Sequence, residues 1–281
     1  MSGAPHAGGA LMRPLIMGIV NVTPDSFSDG GLHLDPGAAA AHGEQLLAEG
    51  ADLLDVGGES TRPGAEPVAE GEEIRRIIPV IEALRARTDR PISVDTMKPG
   101  VARAAAAAGA TVWNDVTALE GSPRSLALAA ELGCGVVLMH MRGTPSTMQA
   151  APQYDDVVAE VAAYLGGRVE AAVAAGIARS KIWIDPGIGF GKTRRHNLAL
   201  IARLDRLVRL GFPVLVGASR KSFIARTAGD GAGEAGRLGG SLAVALAAAA
   251  RGAAALRVHD VAATRQALAV AAAIEEARGD G

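Results

Sequence analysis

EGADLLDVGGES (Glu49–Ser60) is the stretch from which the fold can be read. Its glycine, Gly50, suits the left-handed position that closes a helix. The run that follows, Leu53–Val56, is short and mostly apolar, as expected of a parallel strand buried on both faces. A polar cluster then ends the segment. The same order recurs in AGATVWND (Ala108–Asp115), LGCGVVLMH (Leu132–His140), AGIARSKIWIDPG (Ala175–Gly187), LGFPVLVGASRK (Leu210–Lys221) and RGAAALRVHD (Arg251–Asp260). Gly109, Gly133, Gly176, Gly211 and Gly252 take the closing place of Gly50 in turn. Helix starts carry their own marks. Asp35-Pro36, Lys98-Pro99 and Ser122-Pro123 place proline in a first turn, with Asp35 and Ser122 as expected N-caps.

With Leu15–Val20 and Ile92–Val94 added, eight strands are predicted. The others are Leu53–Val56, Thr111–Trp113, Val136–Met139, Ile182–Ile184, Val214–Gly217 and Ala255–Val258. Eight strands alternating with helices predict an α/β chain closed as a (β/α)8 barrel. A doubly wound open sheet is the alternative, but no strand is followed by the G-x-G-x-x-G fingerprint of that fold. No linker or composition break divides the chain. It therefore reads as a single barrel domain, residues 13–281, behind a flexible N-terminal segment, residues 1–12.

The bulk numbers agree. A chain of 281 residues suits one such barrel, and 49% apolar residues supply its core. With 28 Lys and Arg against 30 Asp and Glu, the net charge of −2 argues against a nucleic-acid or membrane-surface partner. A lone cysteine, Cys134, makes neither an intramolecular disulfide nor a cysteine metal cage, and suits a reducing cytoplasm. Leu238–Ala250 falls short of the roughly 20 residues of a membrane span. The apolar Leu15–Val20 behind Arg13 lacks the cleavage site of a signal peptide.

In a barrel of this kind, the strand C-termini and the loops after them share one mouth. Residues at that level are Asn21, Asp55, Glu59, Asp95, Asn114, Asp115, His140, Asp185, Ser219, Arg220, Lys221, Arg257, His259 and Asp260. Any one of them, Asp115 or Asp260 for example, reads equally well as a helix cap. Eight polar strand ends on one rim point to an enzyme. Asp95, Asn114 and Asp185 offer acceptors for a planar heterocycle rich in N–H donors. Lys221, Arg257 and His259, with Arg62 in a loop, offer donors for an anion such as phosphate. The loops NVTPDSFSDGG from Asn21 and GGESTRPGAEP from Gly57 are long and rich in Gly, Pro and small polar residues, as binding loops are. Phe27 is an aromatic with nothing of its own loop to pack on. GIGFGKT (Gly187–Thr193) imitates a Walker loop, but Pro186 stands where the first glycine belongs. Neither a G-x-S-x-G elbow nor an H-E-x-x-H pair is present.

MGIVNVTPDSFSDGG (Met17–Gly31), DVGGESTRPGA (Asp55–Ala65), SVDT (Ser93–Thr96), ND (Asn114–Asp115), MHMRGTPSTMQ (Met139–Gln149), DPGIGFGK (Asp185–Lys192), GASRKSFI (Gly217–Ile224) and RVHDV (Arg257–Val261) together resemble the dihydropteroate synthase family. The resemblance runs from Leu15 to Val261. It implies a TIM barrel, commonly homodimeric, that takes part in folate biosynthesis and is inhibited by sulfonamides. The implied reaction joins 6-hydroxymethyl-7,8-dihydropterin diphosphate to p-aminobenzoate, giving 7,8-dihydropteroate and diphosphate.

Residue by residue, the resemblance implies that Asp95, Asn114 and Asp185 bind the pterin, that Lys221 donates to its ring, and that Met139 and Phe190 pack beside it. Arg257 covers the pterin face and, with Val258 and His259 of the same motif, reaches the diphosphate. Thr61 is a diphosphate contact and Asn21 the Mg2+ ligand. Phe27, Arg62, Pro63 and Ser222 form the aminobenzoate region, and Asp29 belongs to the first loop. Asp95, Asp185, Lys221, Arg257 and His259 form the implied catalytic group. Arg142, Ser146 and the pair Thr117-Ala118 depart from the common family pattern. A pterin-dependent methyltransferase shares the barrel and the acceptor trio but has no use for the anion site. A pterin-binding barrel without turnover is the remaining alternative.

Overall fold

In the computed structural model, which describes residues 13–23, 35–61, 64–229, 233 and 235–279, eight parallel strands lie in the order β6-β5-β4-β3-β2-β1-β8-β7. They are β1 (Leu15–Asn21), β2 (Leu53–Gly57), β3 (Ile92–Asp95), β4 (Val112–Asp115), β5 (Gly135–Met139), β6 (Ile182–Asp185), β7 (Leu215–Val216) and β8 (Ala255–Val258). A parallel bridge between Ile184 and Val214, and the bond from the Ile184 N–H to the Pro213 carbonyl (3.0 Å), join β6 to β7 and close the ring. This is the expected barrel. The closing strand is shorter than Val214–Gly217, because Pro213 brings no N–H to the ladder and Gly217 already turns toward the loop.

Helices α1 (Pro36–Glu49), α2 (Glu70–Arg85), α3 (Pro99–Ala107), α4 (Ser125–Leu132), α5 (Val157–Ala174), α6 (Arg194–Ala202), α7 (Asp205–Val208), α8 (Ser222–Ala228), α9 (Leu238–Ala249) and α10 (Val261–Gly279) cover the strands. The six closing glycines all have positive φ, from +58° at Gly133 to +108° at Gly109. Asp35 caps α1 by accepting from the Gly37 N–H at 2.8 Å. Ser122 behaves differently from the expectation. Its hydroxyl accepts from the Arg124 N–H (3.3 Å) in a preceding turn, and α4 begins only at Ser125.

Strand residues alternate between two environments, as the period of two requires. Ile16, Leu54, Val94, Trp113, Leu138, Ile184 and Leu256 pack outward beneath the helices. Met17, Leu53, Val137, Leu215 and Ala255 form a separate apolar layer inside the ring. One inward step nearer the strand C-termini, that interior becomes polar. No described helix is long and apolar enough to cross a membrane.

Candidate active site at the barrel mouth

The strand register sets the polar layer. Asn21 lies beside Gly57, Gly57 beside Asp95, Asp95 beside Asn114, and Met139 beside Asp185. Glycine at 57 leaves the neighbouring space to Asp95, whose Cβ would lie 3.5 Å from any added methyl. Arg257 on β8 reaches across the ring. Its Nη2 donates to Asp95 Oδ2 at 2.8 Å and its Nε to Asp55 Oδ2 at 2.5 Å. Asp55 Oδ2 also accepts from Asn114 Nδ2 at 3.1 Å. Four residues from four strands thus form one chain of charge-assisted bonds.

The electrostatics follow from burial. Loss of water pushes Asp95 up to about 7, with Arg257 opposing and Asp55, Glu73 and Asp115 adding to the rise. Burial pulls Arg257 down, but Asp55 and Asp95 more than compensate and hold it above its ordinary value. Asp95 Oδ1 and Asn114 Oδ1 have no hydrogen-bond partner among the described residues.

A second group stands on β6 and β7. Asp185 is 5% exposed and accepts from the Gly187 N–H at 2.6 Å. Burial raises its pKa, while Lys221 and that N–H oppose the rise. Gly187 has φ +65°, and a Cβ there would lie 1.9 Å from the His140 carbonyl oxygen, so only glycine permits this turn. Lys221 donates to the Ile188 carbonyl, and its ammonium stands 4.4 Å from the centre of the Phe190 ring. Burial lowers Lys221 to about 8, against the pull of Asp185. Gly217 faces both groups, since a Cβ there would lie 3.7 Å from Arg257 and 3.9 Å from Asp185 Oδ2.

The Walker imitation resolves into a structural tie. Lys192 is fully buried and donates to His140 Nδ1 (2.9 Å), the Phe190 carbonyl (2.9 Å) and the His140 carbonyl (3.3 Å). Three acceptors satisfy its three N–H groups and leave none for a phosphate. Burial holds His140 down at about 3, with Lys192 adding to the shift, so its ring is neutral at physiological pH.

Thr61, Ser222, Lys221 and Phe190 line one cleft of about 440 Å3 with Met148 and Gln149. Met139 is buried at the end of β5. His259 follows β8, its Nδ1 3.0 Å from Ser219 Oγ. Val258 packs in the outer shell, so its side chain does not face the mouth. Phe27, Asp29, Arg62 and Pro63 lie outside the described residues. Asp115 and Asp260 turn out to be structural. Asp115 accepts from Thr117 and Leu119 to hold the turn where Ala118 and Leu119 have positive φ, and Asp260 pairs with Arg220 at 2.6 Å. Asp55 is the residue that the rim reading left without a role. Its signal was a charge inside the otherwise apolar run LLDVG.

Asn21 closes β1 and is partly exposed. Magnesium takes oxygen ligands and keeps most of its shell as water and phosphate, with one or two ligands from protein. A single carboxamide oxygen fits that demand. Among the described residues, no group of three His, Cys, Asp or Glu could cage a metal by itself.

The pattern of the pterin binding enzyme family matches residues 17–259. The chain belongs to the pterin-binding dihydropteroate synthase family. The Escherichia coli K12 dihydropteroate synthase is 50% identical over 268 residues, covering 95% of this chain and 94% of that protein. The Xanthomonas albilineans dihydropteroate synthase, solved with 4-aminobenzoic acid, superposes with a TM-score of 0.88 at 57% identity, over 94% of each chain. The same enzyme in complex with 7,8-dihydropteroate gives 0.85 at 54%, covering 94% and 95%. Family membership makes the chain a transferase, dihydropteroate synthase in activity, and sets aside the methyltransferase reading. The fold expected of the family is the barrel described above.

Proposed function

We propose that this mouth condenses 6-hydroxymethyl-7,8-dihydropterin diphosphate with p-aminobenzoate, using the residues assembled on β3, β4, β6, β7 and β8. The observation that carries the reading is the facing of acceptors and donors across one polar layer. Asp95, Asn114 and Asp185 each have one side held by the protein and one oxygen left over, which suits the N–H donors of a pterin edge. Lys221 opposes them as a donor to the ring. Arg257 and His259 on the β8 side, with Thr61 after β2, supply the anion end.

In the reaction, the C–O bond to diphosphate breaks, the leaving group departs with the electron pair, and a C–N bond forms to the aminobenzoate amine, which then loses its proton. Positive charge developing on the pterin methylene is delocalised into an electron-rich ring, so no protein nucleophile is needed. Asp95 and Asp185 act by holding and polarising that ring, while Arg257 and His259 stabilise the departing anion. Asn21 would hold Mg2+, which neutralises charge on the leaving diphosphate when bound. The cleft lined by Thr61, Phe190, Lys221 and Ser222 is the aminobenzoate region; the family resemblance assigns Phe27, Arg62 and Pro63 to the same region and Asp29 to the first loop, all four outside the described residues. Proximity of amine and methylene supplies much of the remaining rate. Val258 contributes through its backbone.

The assembly expected from the family is a homodimer. Val270 (54% exposed) and Ile274 (61%) on α10, which packs beside α9, give apolar surface for such a contact. A cytoplasmic location suits the single cysteine.

The deciding assay is diphosphate release with both substrates present. Release that needs the pterin diphosphate and the aminobenzoate together supports the reading; release from the pterin diphosphate alone, or none, overturns it. In the same assay, Asn21→Ala should raise the Mg2+ concentration for half-maximal rate. An unchanged metal dependence removes Asn21 as the ligand.

A further inference from the structure

Asp55 is the third residue of β2 and fully buried, in a strand whose other inward neighbour, Leu53, belongs to the apolar layer. A carboxylate placed there is expensive unless something holds it. Two groups do, and both belong to the proposed pterin site: Asn114 Nδ2 at 3.1 Å and Arg257 Nε at 2.5 Å. Its other oxygen, Oδ1, is buried without a partner among the described residues, as is the hydroxyl of Ser93, its register neighbour on β3. A residue serving packing alone would fill this place with hydrocarbon.

An ionised carboxylate accepts and never donates. Beside Asn114 it admits only one orientation of the carboxamide, with Nδ2 toward Asp55 and Oδ1 turned away from it. Without that neighbour the amide rotates by half a turn at little cost and presents donors instead. The acceptor character of Asn114 is therefore set from outside Asn114. Arg257 is held by the same carboxylate: Nε on Asp55 and Nη2 on Asp95 fix the plane of the guanidinium along two edges.

We propose that Asp55 is a positioning residue of the pterin site, which turns the Asn114 carboxamide so that its oxygen, not its nitrogen, meets the ligand. This rests on the pterin reading of the mouth. Asp55 touches no reacting atom and acts through Asn114, with the Arg257 guanidinium bonded to the same carboxylate oxygen.

The test is a cycle of variants read by calorimetry with 6-hydroxymethylpterin, a ligand without diphosphate, alongside thermal unfolding. Asp55→Asn and Asn114→Ala should each weaken binding by about tenfold, and their combination by no more than about threefold beyond Asn114→Ala. Asn114→Asp sets two carboxylates face to face and should bind poorly. Adding Asp55→Asn to it restores an amide-carboxylate pair with the roles exchanged, and should recover about tenfold. A purely structural Asp55 would show losses that multiply, follow the unfolding temperature and find no rescue in the exchanged pair. Either that pattern, or an Asp55→Asn variant binding like the parent, overturns the proposal. If Asp55→Asn does not fold alone, the exchanged pair still decides it. Failure of the parent to release diphosphate with both substrates counts against the pterin reading instead.

Discussion

Two layers of the same barrel interior sit one inward step apart and are built for opposite purposes. The lower one, Met17, Leu53, Val137, Leu215 and Ala255, is hydrocarbon throughout. The upper one holds Asp55, Asp95, Asn114, Asp185 and Arg257, most of them buried as deeply as the layer beneath. Identical backbone supports both, so the difference lies in what each side chain gains from its place. Apolar residues gain by leaving water, about 25 cal/mol per Å2. Buried carboxylates lose by it, and the loss persists because the layer serves a ligand. Stability resides below and chemistry above, and substitutions in the two layers should separate those quantities.

The largest expected effect is in the upper layer. Asp185→Asn keeps the volume but replaces a charged acceptor by an amide that brings an unwanted donor. It should cost ~2–4 kcal/mol of transition-state stabilisation, a fall of ~10²–10³ in kcat/KM, with little change in unfolding temperature. A variant within a few-fold of the parent removes Asp185 from the site. The converse is Leu53→Ala, which truncates a 6%-exposed side chain in the lower layer. It should lose ~2–4 kcal/mol in denaturant unfolding, while kcat at 25 °C stays within about threefold. Were its kcat to fall as Asp185→Asn does, the two layers would not be separable.

Titration sharpens the same contrast. Asp95 presents acceptors alone, with their charge, only when ionised, and its pKa stands at about 7; Lys221 carries its positive charge and all three donors only when protonated, and its pKa stands at about 8. The profile of kcat/KM for the free enzyme should be a narrow bell with limbs near those values, each falling about tenfold per pH unit. Lys221→Arg should move the alkaline limb upward. Stability runs the other way on the acid side. An unfolded aspartate ionises near 4, so between about pH 4 and 7 the folded state holds a proton that the unfolded state has lost, and stability from Asp95 declines as pH rises. Unfolding monitored across that window with Asp95→Asn should show a shallower decline. A parent profile flat from pH 6 to 9 would mean that neither group has to change charge for binding.

The fold was legible because repetition amplifies a weak signal. One glycine followed by four apolar residues says little, but six such junctions in order leave few architectures, and all six glycines do close helices or turns. The site was half legible. Asp95, Asn114, Asp185 and Arg257 could be placed on the rim because each stands at or next to the end of its apolar run. Pairing could not be read, since Asp55 and Arg257 lie 202 residues apart and meet only through barrel closure. For the same reason Asp260, paired with Arg220 40 residues away, looked no different from Asp95, while Asp115 is held by its own turn through Thr117 and Leu119. Pro186 already tells against Lys192 as a Walker lysine, but its place as a buried tie depends on His140, which the local sequence does not contain.

Gly217 gives the smallest effect and the finest cut between the layers. It follows β7 directly, two residues after the inward Leu215, and it carries no positive φ, so an L side chain is tolerated by the backbone. A Cβ there meets Arg257 at 3.7 Å and Asp185 Oδ2 at 3.9 Å, ordinary contact distances. Gly217→Ala should therefore cost nothing in the empty barrel, and should gain ~0.4–1 kcal/mol in unfolding by restricting the unfolded chain. The added methyl stands between the guanidinium and the carboxylate, in the space proposed for the pterin ring. Affinity for 6-hydroxymethylpterin should fall about five-fold, or roughly 1 kcal/mol. Stability and affinity then move in opposite directions in a single variant. A parallel loss of both would show that position 217 supports the barrel, as Leu215 below it does, and would shift the boundary between the two layers upward by one step.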